Sequence, residues 1–420
     1  MKILVLYPYI PYPTDRGTYQ RTYHLLRALA ARHEVHLVAL SECGERREQQ
    51  AHFETFCHRV TFVSFEHPQW PRLFPDRLFH PFPTSIRHWS LPQIAEAVRA
   101  EMAAHQFDLV HVCDIVMAQY FLDEHQDVPL SVDRSRVDLQ YQTARHEAMG
   151  ADAGWKESLL QAEQILKLRH FERRVAKRAQ MQIVCGPDDE VFVHREIDAK
   201  APVRVVANGV DLDFFHSESS HEPRAARPTL LFCGAMDYAP NIDALRWFFD
   251  DIHARLLARI PDLEVLIVGR SPVPEVQAHD LRPGVTVTGG VPDVRPFYRR
   301  AWAQIVPLRI GGGTRLKIPE SMAIGTPVIS THIGAQGLDL NHDHDILLAD
   351  TPGSFAEQCA RLLEDAPLRE TITRHGILTC RQRLGWEVMG RLFCDACEEA
   401  AKPAPTLNST LLHHATALVR

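Results

Sequence analysis

Apolar strand segments alternate with amphipathic helical segments twice along this chain, and that rhythm restricts the fold more than any other feature. The first set opens with "KILVLY" and passes to "TYQRTYHLLRALAARH", where Tyr19, Tyr23, Leu26 and Ala30 recur at helical spacing. It returns to a strand at "EVHLVAL". Strands follow at "RVTFVSF", "FDLVHVC" and "VPLSV", then a long charged helix through "ESLLQAEQILKLRHFERRVAKRA", then "MQIVCG" and "VRVVANG". After Asp213, "FFHSESSHEPRAARPT" is polar, proline-bearing and aperiodic, as a linker is. A second set then runs from "TLLFCG" and "NIDALRWFFDDIHARLLARI" through "LEVLIVG", "VTVTGG" and "AQIVPL" to "SFAEQCARLLED". Strand–helix–strand order makes the strands parallel, so each set predicts a doubly wound α/β domain. Ligands of such sheets bind outside the carboxyl ends of the strands, which in a two-domain chain face a shared cleft.

With 420 residues the chain exceeds the roughly 250–300 at which one hydrophobic core stops growing, in keeping with two domains. A net charge of -7 argues against a general nucleic-acid binder, which needs a basic excess to displace counterions. The 9 cysteines are an odd number, scattered through strand-like runs, as in a reduced compartment. Cys394 and Cys397 alone have CxxC spacing, and without a second pair they read as a helix surface and not as a metal site. "MKILVLYPYIPYP" is cut by Pro8 too early for a signal segment and reads as a first strand. These features predict a soluble cytoplasmic protein.

One stretch carries chemistry on its face. "PLRIGGGTRLKIPESMAIGTPVIST" sets Gly311, Gly312 and Gly313 beside Arg309, Thr314, Arg315 and Lys317, with Glu320 in the first turn of the helix that follows. Glycines let backbone N–H groups turn around an anion, and a helix start adds partial positive charge, so a phosphate is the expected guest. A tight turn alone is the plainer alternative. "TDRGTYQR" is a strand-to-helix loop ending at Gly17, with Arg21 one turn into the helix. In "LSVDRS", Asp133 ends a buried strand, where it either caps a loop or orients a substrate, with Arg136 and Asp138 near it in sequence.

In their order and spacing, "YPYIPYPTDRGTYQR", "VVANGVDLDFF", "LLFCGAMDYAPNIDAL", "VTVTGGVPDVRPFY", the Gly-run segment and "GWEVMGRLF" resemble glycosyltransferase family 4, retaining enzymes of GT-B fold. The likeness is nearest to the branch found with exopolysaccharide and exosortase gene clusters. It implies two Rossmann-like domains facing across a cleft: residues 1–205 for the acceptor, a linker at 206–228, and residues 229–384 for the nucleotide sugar. A helix at 385–400, with Trp386, Met389, Leu392 and Phe393 on one side, would return to the first domain before a tail at 401–420. The sequence departs from the family in three places. Gly312 stands where a Glu-x7-Glu motif has its first Glu, Met236 and Asn241 stand near where an Arg and a Lys are usual, and Asp133 replaces a His.

By that resemblance Glu320 would hydrogen-bond the ribose of the donor, and Arg309 and Lys317 would hold its diphosphate. Gly17, Gly311, Gly312, Gly313, Thr314 and Arg315 would surround the phosphates, and Gly290 and Val291 would grip the base through backbone groups. Arg309, Lys317 and Asp133 are the catalytic candidates. Two cations at the diphosphate imply that neither metal nor other cofactor is needed. The implied partners are a nucleotide sugar and a glycan or polyprenyl-linked acceptor. Lys167, Arg169, Arg173, Arg174, Lys177 and Arg178 cluster on the long helix, either as a solvated face or as a patch for an anionic membrane surface. A nucleotide-sugar epimerase on the same architecture and a catalytically inactive partner protein are the alternative functions.

Overall fold

A computed structural model of the protein describes residues 1–14, 17–41, 46–65, 80–149, 154–216, 223–310 and 315–402. Its first sheet is built of β1 (Lys2–Tyr7), β2 (Glu34–Ser41), β3 (Arg59–Ser64), β4 (Leu109–Cys113), β5 (Leu130–Arg134), β6 (Met181–Val184) and β7 (Val203–Val205), in the order β3-β2-β1-β4-β5-β6-β7. The second holds β8 (Thr229–Cys233), β9 (Glu264–Val268), β10 (Val285–Gly289), β11 (Ala303–Val306), β12 (Val328–Ser330) and β13 (Leu347–Leu348), ordered β10-β9-β8-β11-β12-β13. Every strand pair in both sheets is parallel. The near-continuous burial of strands such as β1, β4, β8 and β11 explains their unbroken apolar runs, since helices cover both faces of a parallel sheet. In each sheet the chain reverses its winding direction once, between β1 and β4 and between β8 and β11, which opens a crevice at the carboxyl ends of those strands.

Five helices position the groups discussed below: α1 (Gly17–Ala30), α2 (Trp155–Arg178), α3 (Arg295–Arg300), α4 (Lys317–Ile324) and α5 (Trp386–Ala400). The two segments that cross between the domains are joined to each other. Val210 donates to the Leu384 carbonyl at 2.8 Å, and Trp386 donates to the Val210 carbonyl at 3.1 Å. An added Cβ on Gly209 would lie 2.7 Å from the Trp386 ring, so only glycine lets the crossings pack this closely.

Helix α5 returns to the first domain, where Trp386, Met389, Phe393, Cys394 and Cys397 join the core formed with Ile3, Val5, Leu25 and Leu29. Burial at 386, 389, 393, 397 and 400 keeps the 3–4 residue step of one helix face. Leu392 falls off that face and is exposed, contrary to expectation, and the CxxC cysteines are core residues, not surface ones. The segment read as an aperiodic linker holds a short helix, Leu212–His216, because Phe215 has a place to bury. Its ring meets that of Tyr298 edge-on at 6.3 Å in the second core. Of the expected tail, residues 403–420 lie outside the described residues.

Candidate active site

The second-domain crevice is organised around Lys317, the first residue of α4. Its Nζ donates to Asn241 Oδ1 at 2.9 Å, and it lies over the Phe232 ring at 4.5 Å from the centroid. Asn241 is fixed in turn by donating from Nδ2 to the Ala235 carbonyl at 2.8 Å. Gly234, directly after β8, makes the space for this group: a Cβ there would lie 2.8 Å from Asn241 Nδ2 and 2.9 Å from Lys317 Nζ. Strands β8 and β9 also end in contact, since a Cβ on Gly269 would overlap the Gly234 carbonyl oxygen at 1.6 Å. Removal from water pulls the Lys317 ammonium down to about 8, and Arg315 pushes in the same direction. A cation partly stripped of solvent at a helix start is well placed to take up an anion.

Glu320 lies one turn further along α4. The Tyr298 hydroxyl of α3 donates to its Oε2 at 3.2 Å. Burial pushes the Glu320 carboxyl up to about 7, even though Tyr298 and Lys317 both favour its ionised form. Gly290 and Val291 follow β10 and lead through Asp293 into α3, so the loop expected to meet the base and the carboxylate expected to meet the ribose share one support.

Gly17 lies at the same place from the opposite side. A Cβ on it would sit 2.9 Å from Leu316 Cδ1, between Arg315 and Lys317 in sequence. The first-domain loop therefore reaches the start of α4. Gln336 and Asp188 are hydrogen-bonded across the same seam, and the Gly337 Cα would lie 3.7 Å from a Cβ on Gly186. Arg315 is half-buried near Tyr238 and Asp189, and its partial removal from water lowers its pKa. Gly311, Gly312, Gly313 and Thr314 lie outside the described residues.

Two expected participants are placed elsewhere. Arg309 is committed to a carboxylate of its own domain, donating from Nε to Asp243 Oδ2 at 3.1 Å and from Nη2 to Oδ1 at 2.5 Å, with its guanidinium beside the Trp247 ring. Asp133 does not present its carboxylate to the cleft. It is 2% exposed, and both of its oxygens accept from Arg21, at 3.0 Å from Nε and 2.6 Å from Nη2. Arg21 also donates to the Val206 carbonyl at 2.7 Å and to Asn208 at 3.3 Å. Burial alone would lower the pKa of this guanidinium, but Asp133 more than offsets that. The pair thus clamps β5 and α1 to the chain leaving β7. Sequence alone could not say that Arg21 turns inward, because helix periodicity assigns it to neither face.

The group that sequence reasoning missed is Asp114, directly after β4 at the first-domain switch point. It has φ 72°, a left-handed conformation unusual outside glycine, and its carboxylate accepts the Ile115 N–H at 2.9 Å. Burial, aided by Asp138, pushes it up to about 7. The sequence shows only an acid closing the run "LVHVC"; that this strand lies beside β1 comes from the sheet order. Tyr9, stacked on Tyr19 at 4.7 Å and hydrogen-bonded to Thr22, borders the same crevice and feels the Asp114 charge.

The basic cluster of α2 is largely neutralised within the protein. Lys167 pairs with Glu163, Arg169 with Glu196 and Arg174 with Asp123, while Arg178 is buried against the carbonyls of Phe121, His125 and Val128. Among the described residues, no helix is long and apolar enough to cross a membrane. A groove of about 930 Å³ lies on the hinge side, lined by His24, Arg27, Asp211, Arg381, Trp386 and Glu387, and carries none of the groups at the strand ends.

Residues 227–365, which hold β8 to β13 and Lys317, match the family model described as glycosyl transferases group 1. The second domain is a glycosyltransferase domain. Over nearly its whole length the chain also superposes on solved structures. A sucrose-phosphate synthase from Thermosynechococcus elongatus matches at 19% identity and a TM-score of 0.66, with 99% of this chain and 100% of that one covered. The HepE protein of Anabaena, solved in complex with UDP and glucose, matches at 15% identity and 0.62, with 95% and 99% covered. At these identities the likeness establishes the fold, which is GT-B, with two Rossmann-like domains. In sequence, the chain is 23% identical over 138 residues to an uncharacterized 44.6 kDa protein in the cps region of Klebsiella pneumoniae, a match that covers 30% of this chain and only 35% of that relative.

Proposed function

We propose that the protein is a retaining glycosyltransferase of family 4 type. It moves a sugar from a nucleotide-diphosphate donor to a glycan or polyprenyl-linked acceptor, at the cytoplasmic side of the membrane and in the synthesis of a cell-surface polysaccharide. The observation that carries this reading is Lys317: a partly desolvated ammonium, backed by Asn241 and Phe232, at the carboxyl end of β8 where the strand order reverses. The solved structure with UDP and glucose supports a nucleotide-sugar donor, and the relative from the cps region of Klebsiella pneumoniae supports the polysaccharide setting.

In the reaction the bond from the sugar's anomeric carbon to the diphosphate oxygen breaks, and a bond from the acceptor oxygen forms on the same face. The acceptor's proton passes to the departing phosphate, leaving a nucleoside diphosphate and a glycoside. Lys317 stabilises charge that grows on the diphosphate as that bond breaks, the type of interaction worth most in a site closed to water. Glu320 holds the ribose. Arg315 and Gly17 bring the first domain onto the phosphates, so that the closed seam excludes water as a rival acceptor. On the acceptor side Asp114 orients the attacking hydroxyl, while Asp133 acts only by holding Arg21. The test is turnover of a UDP- or GDP-sugar panel with polyprenyl-phosphate-linked glycans. Transfer with retained anomeric configuration bears the reading out, whereas conversion of the donor without acceptor would make the protein an epimerase.

A further inference from the structure

At the amino ends of the first sheet, opposite the cleft, two side chains of β2 and one from the residue that leads into β3 converge on one point. Glu34 and His36 stand two residues apart in β2 and so share a face of the sheet. His58 immediately precedes β3, and its N–H donates to the Val35 carbonyl at 2.9 Å, which fixes it beside them. His36 Nε2 lies 3.3 Å from Glu34 Oε1, and His58 Nε2 lies 3.6 Å from the same oxygen. The two imidazole rings are 5.5 Å apart. Ligands bound to zinc at about 2.0–2.1 Å in a tetrahedral arrangement stand about 3.4 Å from one another, so both spacings suit a shared ion.

The chemistry around His36 points the same way. It is 2% exposed, and its other nitrogen, Nδ1, lies 3.1 Å from Glu101 Oε2. Glu101 is itself held by Arg59 Nε at 2.8 Å and is 5% exposed. With Nδ1 turned to Glu101, Nε2 faces the Glu34 carboxylate oxygen, the direction in which a shared cation would lie. A histidine oriented by a buried carboxylate behind it is the usual support of a metal-bound imidazole. His105 closes the back of the ring, edge-on at 4.6 Å. Lys2 also reaches Glu34 Oε1, at 2.8 Å, through a flexible stem that can leave as a cation enters.

We infer that Glu34 Oε1, His36 Nε2 and His58 Nε2 form a binding site for zinc or a similar borderline divalent ion, with Glu101 orienting His36 and a fourth position open to solvent. Two nitrogens and one carboxylate select such an ion over magnesium or calcium. The site ties β2 to β3 and takes no part in transfer at the opposite ends of the strands. Titration calorimetry of the full chain with zinc sulfate, together with the visible spectrum of the cobalt-loaded protein, tests it. We expect one ion per chain and a tetrahedral cobalt spectrum, with affinity at least about tenfold weaker in His58→Ala and in Glu34→Gln and unchanged in His105→Ala. His58 is exposed, so its variant folds, and a thermal melt without metal checks this. Zinc binding that is absent from the wild type, equally tight in His58→Ala, or lost in His105→Ala would overturn the assignment.

Discussion

Lys317 Nζ and Asn241 Oδ1 meet at 2.9 Å above the end of β8, in space that exists because residue 234 is glycine. The ammonium is thereby held at the crevice by a neutral amide oxygen. Removing it should cost turnover more than binding of the sugar itself. Lys317→Ala is expected to lower kcat by at least about tenfold, equivalent to about 1.4 kcal/mol of transition-state stabilisation, with an unchanged melting temperature. Wild-type turnover in this variant would remove Lys317 from the chemistry.

Arg309 provides the contrast. Its fork is occupied by Asp243, so Arg309→Ala should change kcat by no more than about threefold. A loss matching that of Lys317→Ala would mean that the guanidinium leaves Asp243 when donor arrives, and Asp243→Asn would then raise donor affinity. Turnover should survive chelator in the wild type, because a side-chain cation serves the diphosphate.

The pH dependence follows from two opposed groups. Lys317 binds the diphosphate when protonated, so donor affinity is full below its pKa of about 8 and is lost as pH rises through it. Glu320 accepts from ribose hydroxyls when ionised, so its contribution is absent below about 7 and appears as pH rises through that value. The kcat/KM profile should therefore peak between about 7 and 8, its limbs belonging to the pair jointly. Glu320→Gln should flatten the acid limb and Lys317→Arg the alkaline one. Profiles unchanged in both variants would contradict the assignment.

Much of the architecture was legible in the sequence, because a parallel sheet covered on both faces demands unbroken apolar strands, and β1, β4, β8 and β11 have them. The placement of Lys317 and Glu320 in the first turn of a helix was legible as well. Arg21, Arg309 and Asp133 were not. Their roles depend on which of several oppositely charged groups folding brings near, and Arg21 and Asp133 are 112 residues apart. Asp114 was missed because its significance lies in strand order, and only the sheet shows that β4 sits next to β1.

The Arg21–Asp133 pair should act on stability and not on chemistry. Asp133→Asn leaves a buried guanidinium without its counter-ion, a loss of about 3–5 kcal/mol in unfolding free energy. Denaturant melts check this. If Asp133→Asn instead retains full stability and loses turnover, the carboxylate belongs in the reaction after all.

Gly17 measures the closed seam. In Gly17→Val the added methyl groups press on Leu316, so we expect a rise in donor KM of at least about threefold and a larger radius of gyration in small-angle scattering. Gly17→Val combined with Leu316→Ala should restore both. No change in either quantity would mean that the contact does not govern closure.

The most direct measurement compares nucleoside diphosphates with nucleosides as ligands of the wild type and of Lys317→Ala. Calorimetric titration with UDP, GDP, uridine and guanosine separates the diphosphate contact from those to base and ribose. The expected result is that the variant binds its preferred nucleoside diphosphate at least about tenfold more weakly than wild type, while the matching nucleoside binds both alike. Equal affinity of the two proteins for the diphosphate would contradict a phosphate site built on Lys317.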